Sequence, residues 1–406
     1  MVEQAPSLKR ILFVDDEPRV LDGLRRSLRA RRKQWDLVFA TSGAAALEEL
    51  GRGSFDVILS DMRMPGMDGA EVLLRAASLQ PEAARIVFSG QTEESAATRA
   101  ATVAHRFLTK PCEPEVLEAT IMRTLELRAL LGSEQLRQLV GGMAALPSLP
   151  SACVALNRAL AEENGSLAEV CAIIEQDVAM AVKVLQLVNS AFFGVSRRIT
   201  SVERAVSYLG MNTIKNLVLA HSLFAEFGGS SLANAERQQA QALLASRIVR
   251  SLLTDRQQAQ VAGTAALLHD AGSLALASRL PKQHKLNVER ANEEAVPLFL
   301  VERASFGVSH AEVGAYLLGL WGLPHDVIEA VAAHHNGWDS FHELDVSAAV
   351  RLSIALAGEL TGASTPADGA DLPPDDAVAR LGLVDKMARV RQELSTSLAK
   401  LTEAGA

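Results

Sequence analysis

The sequence predicts an α/β module with a doubly wound, five-stranded parallel sheet, followed by an all-helical module. Three observations carry that expectation. In the first 125 residues, five short β-rich runs alternate with helical patterns. Those runs are near-continuously apolar, as strands covered on both faces must be. After Leu146 no strand alternation stands out, and apolar residues recur at helical spacing.

Taken in order, "RILFV" (10–14) precedes the amphipathic "RVLDGLRRSLRARR", and "WDLVFA" (35–40) precedes "GAAALEEL". "DVILS" (56–60), "ARIVFS" (84–89) and "HRFL" (105–108) each lead into a further helical stretch. The basic run 25–33 falls at the end of the first helix and reads as a solvated face. In "EVLEATIMRTLELRALLGSEQLRQLVGG" (115–142), Leu117, Ile121 and Leu125 lie four apart and suit a helix covering the sheet. The pattern runs on through Leu130, Leu131, Leu136 and Leu139, which leaves open a continuous lever or a helix and short linker. "GGMAALPSLPS" (141–151) clusters Gly, Pro and Ser and marks a boundary.

Beyond it, "IIEQDVAMAVKVLQLVNSAFFG" (173–194) has helical spacing and ends at a plausible C-capping Gly194. "ITSVERAVSYLGMNTIKNLVLAHSL" (199–223) has a faint helix-turn-helix look, but only Arg204 and Lys215 along most of it could reach phosphates. Core packing is the favoured reading. "TGASTPADGADLPPDD" (361–376) reads as an exposed loop, before a helix with an apolar stripe at Val384, Met387, Val390, Leu394, Leu398 and Leu401.

The formal net charge of −8 argues against a general nucleic-acid binder, which needs a basic surplus. Hydrophobic residues make up 49% of the 406, enough for folded cores. No secretory signal and no membrane-length apolar run is visible. Cys112, Cys153 and Cys171 form neither a pairing framework nor a zinc spacing. The expectation is a soluble cytoplasmic protein.

Chemistry in doubly wound sheets gathers beyond the carboxyl ends of the strands. There stand Asp15–Asp16 after strand one, Asp61 after strand three, Ser89 at strand four and Lys110 after strand five. Three converging carboxylates need a cation among them, and an all-oxygen donor set suits Mg²⁺. A carboxylate can attack phosphorus, and an ammonium can neutralise the transferring group. Helix capping would explain Asp16 or Asp61 singly, but not acid, acid, hydroxyl and Lys-Pro at successive strand ends.

"ILFVDDEP", "DVILSDMRMPGMDG", "IVFSG" and "FLTKP" together closely resemble the receiver domain of two-component response regulators, over about residues 8–125. The resemblance implies the flavodoxin-like strand order 2-1-3-4-5 and Asp61 as phosphoacceptor. It implies Mg²⁺ held by Asp15, Asp16, Asp61 and the main-chain carbonyl of Arg63, with Lys110 on the phosphoryl group. Ser89 and Phe107 would be the switch residues, and the bond to Pro111 would be cis. A sensor histidine kinase is the implied partner; dimerisation of the receiver is left open.

After a helical linker (126–142), "LPSLP", "AVSYLGMNTIKNLVL", "ALLHDAG" and "HAEVGAYLLGLWGLPHDVIEAVAAHH" resemble the HDOD domain, a helical output module related to HD phosphohydrolases, over 143–360. The HD site needs a histidine from an earlier helix, a His–Asp pair and a later aspartate. His269 and Asp270 supply the pair, but the earlier histidine falls near Ala245 and no aspartate follows Asp345 within the last helix. His310, His334 and His335 lie where cyclic-dinucleotide phosphodiesterases of the HD-GYP type have further metal histidines, yet "NGWDSF" replaces their GYP element. The expectation is a degenerate site of structural or pocket-lining histidines, without metal or turnover, in a module that binds an unknown output protein. The alternative is an HD-type phosphohydrolase under receiver control.

Overall fold

The structure is a computed structural model that describes residues 8–90, 103–131, 134–143, 146–148, 150–161, 166–189, 198–219, 225–226, 232–361 and 371–392. The strands β1 (Lys9–Val14), β2 (Trp35–Ala40), β3 (Val57–Ser60), β4 (Ala84–Ser89) and β5 (Arg106–Thr109) form one parallel sheet in the order β2-β1-β3-β4-β5. Among the described residues, helices α1 (Pro18–Ser27), α2 (Gly43–Arg52), α3 (Gly69–Leu79) and α4 (Pro114–Leu130) flank it; the helical stretch expected after β4 lies outside them. Pro18 and Pro114 open α1 and α4, where the missing N–H costs nothing. Ser42 and Asp68 cap α2 and α3 by accepting from the amides of Ala45 and Glu71. The sheet is covered on both faces: Ile11, Phe13 and Leu59 pack in one buried cluster, Leu12, Val14 and Ile58 in the other. Strand order reverses between β1 and β3, which opens the crevice where Asp15 and Asp61 emerge.

The continuous lever is not present. Helix α4 runs past residue 125 to Leu130, then Leu131 is extended and a separate helix, α5, spans Glu134–Gly141. The rest is helical: α6 (Pro150–Ala161), α7 (Leu167–Glu175), α8 (Val178–Val188), α9 (Val202–Leu219), α10 (Leu232–Leu252), α11 (Arg256–Leu268), α12 (Ala271–Arg279), α13 (Pro281–Glu293), α14 (Leu298–Phe306), α15 (His310–Leu320), α16 (His325–Ala333), α17 (Val346–Thr361) and α18 (Asp375–Arg380). Helix α9 breaks at Gly210, whose φ of 75° only glycine adopts freely, and this break produces the helix-turn-helix look of its sequence. One detail departs from the all-helical expectation: Pro147–Ser148 and Ala225–Glu226 form a two-residue parallel pair. The expected stripe after residue 380 is also shifted. Leu383, Met387 and Val390 are buried, whereas Val384 is 64% exposed; Leu394, Leu398 and Leu401 lie outside the described residues. Among the described residues, no helix is long and apolar enough to cross a membrane.

The two modules share one core. Leu127 and Leu131 of the receiver side join Leu136, Val140, Tyr316 and Trp321 in a single buried cluster. A guanidinium-to-carbonyl bond holds the seam, Arg106 Nη2 donating to Gly319 O (2.7 Å); within the helical module Arg198 Nη1 likewise donates to Gly322 O (2.5 Å). Both carbonyls lie at the C-terminal end of α15, where orphaned acceptors and the helix dipole favour a cation. Gln186 Nε2 reaches across to His105 O at 3.2 Å.

Beside that contact Lys183 is buried, with its Nζ donating to Gln186 Oε1 at 3.0 Å. Burial lowers its pKa to about 7. Below that pH the folded chain retains a buried ammonium; above it the folded amine is neutral while the unfolded one stays charged to about pH 10.4. The unfolded state therefore binds more protons in that window, and stability rises with pH there. Lys183→Met is expected to raise the melting temperature by several degrees at pH 6 and to flatten its rise between pH 7 and 10, measured by thermal unfolding.

Candidate functional site

The crevice between β1 and β3 gathers the strand-end residues. Lys110 Nζ lies 2.5 Å from both Asp15 Oδ2 and Asp61 Oδ1, bridging the two acids. Asp15 Oδ1 accepts from the Glu17 amide (3.0 Å), and Asp61 Oδ2 from the Arg63 amide (2.6 Å). Each carboxylate is thereby aimed by its own loop, with Asp15 only 2% and Asp61 7% exposed. Burial raises the Asp61 pKa, against the opposing hydrogen bond and charge of Lys110. Burial also works against the Lys110 charge, but its hydrogen bonds to Asp15 and Asp61 outweigh it and raise its pKa. Asp16 is half-buried at the rim.

Two backbone features shape the crevice. The Lys110–Pro111 bond is cis, as the motif implies. Gly69 starts α3 so close to β3 that a Cβ there would lie 1.9 Å from the Asp61 carbonyl oxygen, so the final glycine of "PGMDG" is sterically required. Ser89 ends β4 and is buried beside the crevice. Phe107 is half-buried on β5 and packs against both core clusters.

A second constellation lies in the helical module. His269 follows α11, Asp270 precedes α12, His310 starts α15, and His334–His335 follow α16. Close helix contact brings them together: a Cβ on Gly272 would lie 1.9 Å from His310 O, so the glycine of "HDAG" lets α12 and α15 touch. His310 Nε2 is 2.8 Å from His335 Nε2 and 3.5 Å from Asp270 Oδ1, while His269 Nε2 is 3.3 Å from Asp270 Oδ2. Donor nitrogens of His310, His334 and His335 all fall within 4.8 Å of one another. A cavity of about 60 Å³ is lined by His269, Asp270, His310 and His335, and also by Arg237, Gln238, Gln241, Ile354 and Ala357.

The outward nitrogens fix the rings. His269 Nδ1 meets Ala266 O (2.8 Å) and His334 Nδ1 meets Val331 O (2.6 Å), so each directs Nε2 inward. His310 Nδ1 meets the buried carboxylate of Glu302 at 2.6 Å. Burial opposes charge on His310, but Glu302 and Asp270 outweigh it and raise the pKa to about 9. Burial and the neighbouring imidazolium charges push His334 and His335 well below the usual histidine value.

Two parts of this site go beyond the sequence reading, at α10 and at Glu302, and one, at α17, agrees with it. Ala245 is a core residue outside the cavity lining, and Gln241 and Gln238, one and two turns earlier in α10, line it. Asp345 caps α17 by accepting from the Ala348 amide at 2.8 Å, and Ile354 and Ala357 form that wall. Glu302 was missed altogether. It lies eight residues before His310, and no local pattern separates it from the other 47 acids.

Two family models match: the response regulator receiver domain over residues 11–122 and the HDOD domain over 146–337. The chain is a receiver–HDOD response regulator. An uncharacterized protein of Treponema pallidum is 30% identical over 200 residues, covering 47% of this chain and 38% of the relative. The hydrogenase transcriptional regulatory protein HoxA of Cupriavidus necator is 35% identical over 124 residues, 30% of this chain and 25% of the relative. This response regulator thus spans well under two thirds of either relative. Among solved structures, the signal receiver domain of an HD domain-containing protein from Pseudomonas fluorescens is 26% identical, covering 32% of this chain and 94% of that one, with a TM-score of 0.30. The MmoQ response regulator from Methylococcus capsulatus is 22% identical, covering 61% and 97%, with a TM-score of 0.45.

Proposed function

We propose that Asp61 accepts a phosphoryl group from a sensor histidine kinase and that the HDOD domain answers by changing its affinity for a partner protein. An Asp61 oxygen attacks phosphorus, the phosphorus–nitrogen bond of the donor breaks, and the bond pair stays on the imidazole nitrogen. Lys110, already bridging Asp15 and Asp61, sits where its ammonium can bind the transferred oxygens. Ser89 at the end of β4 is placed to offer its hydroxyl to the same group. Asp15, Asp16, Asp61 and the Arg63 carbonyl are hard oxygen donors that fit Mg²⁺, and Asp16 has no hydrogen-bond partner among the described residues to compete with it. Bound Mg²⁺ supplies charge neutralisation of the phosphoryl oxygens.

The observation that carries the output reading is helix α15. His310 at its N-terminus lies in the histidine cavity, and Gly319 near its C-terminus takes Arg106 of β5. β5 in turn leads to Lys110 in the phosphoacceptor crevice. A shift of β5 toward a phosphoryl group pulls on the helix that lines the cavity, which is a two-state element both sites can bias. At about 60 Å³ the cavity is far below the roughly 300–1,000 Å³ of sites that take drug-sized ligands, which weighs against hydrolysis of a cyclic dinucleotide.

A pull-down comparing protein with and without beryllofluoride and Mg²⁺ tests this. The expected result is a protein retained in one state only, with no difference between the two conditions for Asp61→Asn. The same proteins in equal amount in both states, or a linear product from cyclic di-GMP that depends on His269, would overturn it.

A further inference from the structure

We infer that the basic end of α1 is a binding surface for the phosphodiester backbone of nucleic acid, engaged through charge and without reading sequence. This goes beyond the reading above and concerns a different surface, so either can fail alone. It also goes beyond the sequence reading of residues 25–33 as a solvated face.

The charge is local. Residues 19–33 hold six arginines and Lys33 against one acid, Asp22, a net of +6 in a chain whose formal net charge is −8. The acidic remainder still argues against a general nucleic-acid binder and confines contact to this patch. Arg25 pairs with Asp22 and Arg31 with Glu118, while Arg10 takes Asp36 at the same edge of the sheet. Arg19, Arg26, Arg29, Arg32 and Lys33 are exposed and have no ion-pair partner among the described residues. The helix dipole does not account for them. It favours cations in the last turn of α1, where Arg25 and Arg26 stand, and Arg29, Arg32 and Lys33 lie past it.

The fold lines these cations up. Leu21, Leu24 and Leu28 are buried, so the opposite side of α1 faces outward. After Ser27 the chain tightens into a 3-10 turn, Leu28–Arg31, in which side chains three residues apart eclipse at about 6 Å. Arg26, Arg29 and Arg32, spaced by three, thus come into one ridge.

Two features choose the partner. No large apolar side chain in 18–34 is exposed. The patch therefore lacks both the apolar core of a protein interface and the inserted face of a membrane-bound helix. Guanidinium forks match phosphate oxygens bidentately, and an array of them binds any sequence. Helix α1 starts just after Asp15 and Asp16 and runs about 15 Å away from the crevice, toward the start of β2. Nucleic-acid binding and phosphoryl transfer are for that reason separable.

The test is fluorescence anisotropy of a short labelled DNA duplex of mixed sequence with the full chain, between about 50 and 200 mM KCl. Binding is expected at the lower salt, with log K falling against log[salt] at a slope near −4 for about five phosphate contacts, a loss of about 10²–10³-fold over that range. A duplex of unrelated sequence should bind within about threefold of the first. Arg26→Gln/Arg29→Gln/Arg32→Gln should weaken binding at least about tenfold and bring the slope to roughly −2. Asp61 in that variant should still take label from a small-molecule phosphodonor, which shows the receiver is folded. Lys282→Gln/Lys285→Gln/Arg290→Gln, which removes equal charge from the exposed side of α13, should bind like the wild type. No binding at the lower salt, undiminished binding by the α1 variant, or an equal loss in the α13 variant overturns the inference. Capture by phosphatidylserine vesicles without binding of the duplex also overturns it.

Discussion

Asp61→Asn is expected to abolish incorporation of phosphoryl label from acetyl phosphate and Mg²⁺, at least a 100-fold loss in a filter assay or by intact mass. The substitution keeps the size and much of the hydrogen bonding of the side chain, so the Arg63 amide still finds an acceptor. What disappears is the nucleophile and one of the two charges that Lys110 bridges. Lys110→Ala tests the other half of the crevice. It leaves Asp15 and Asp61 facing each other without their cation, so phosphoryl transfer is expected to slow by roughly 10²–10³-fold. Retention of label in Asp61→Asn would place the acceptor elsewhere and remove the basis for the receiver reading.

Gly319→Val is expected to separate the receiver from the HDOD domain without disabling either. A Cβ at Gly319 would lie 2.6 and 2.7 Å from the methyls of Leu127, which is itself 2% exposed and has little space to yield. Overpacking of this kind costs about 1–3 kcal/mol. The strain falls on the contact between α4 and α15, beside the Arg106 bond to Gly319 O. Backbone exchange in 114–130 and 310–323 should accelerate, while the rate of Asp61 labelling stays within about twofold of wild type. A fall in labelling as large as that of Asp61→Asn would mean the receiver cannot fold without this seam.

The sequence shows the sheet well because strands buried on both faces carry near-continuous apolar runs, and because the candidate site residues fall at their ends. Asp15, Asp61 and Lys110 meet in the crevice for that reason. The helical module is harder to read. Its site is built where separate helices cross, and the crossing depends on Gly272 and Gly314, whose role is visible only in three dimensions. The wall from α10 comes from Gln241 and Gln238, one and two turns before Ala245, and helical registers a turn apart look alike in an alanine-rich segment. Glu302 was invisible because its importance comes from a contact with His310 and not from spacing. The buried Arg85, fully exploited by Val103 O, Pro81 O, Ala83 O and His105, is likewise unmarked in a strand otherwise read as apolar.

The proposed function requires a mechanical link from Asp61 through β5 to α15. Hydrogen exchange of the full chain, with and without beryllofluoride and Mg²⁺, addresses that link directly. Faster exchange at 103–109 and 310–323 in the wild type, absent in Asp61→Asn, is the predicted result. Identical exchange of 310–323 in both states, with beryllofluoride demonstrably bound at Asp61, would contradict it.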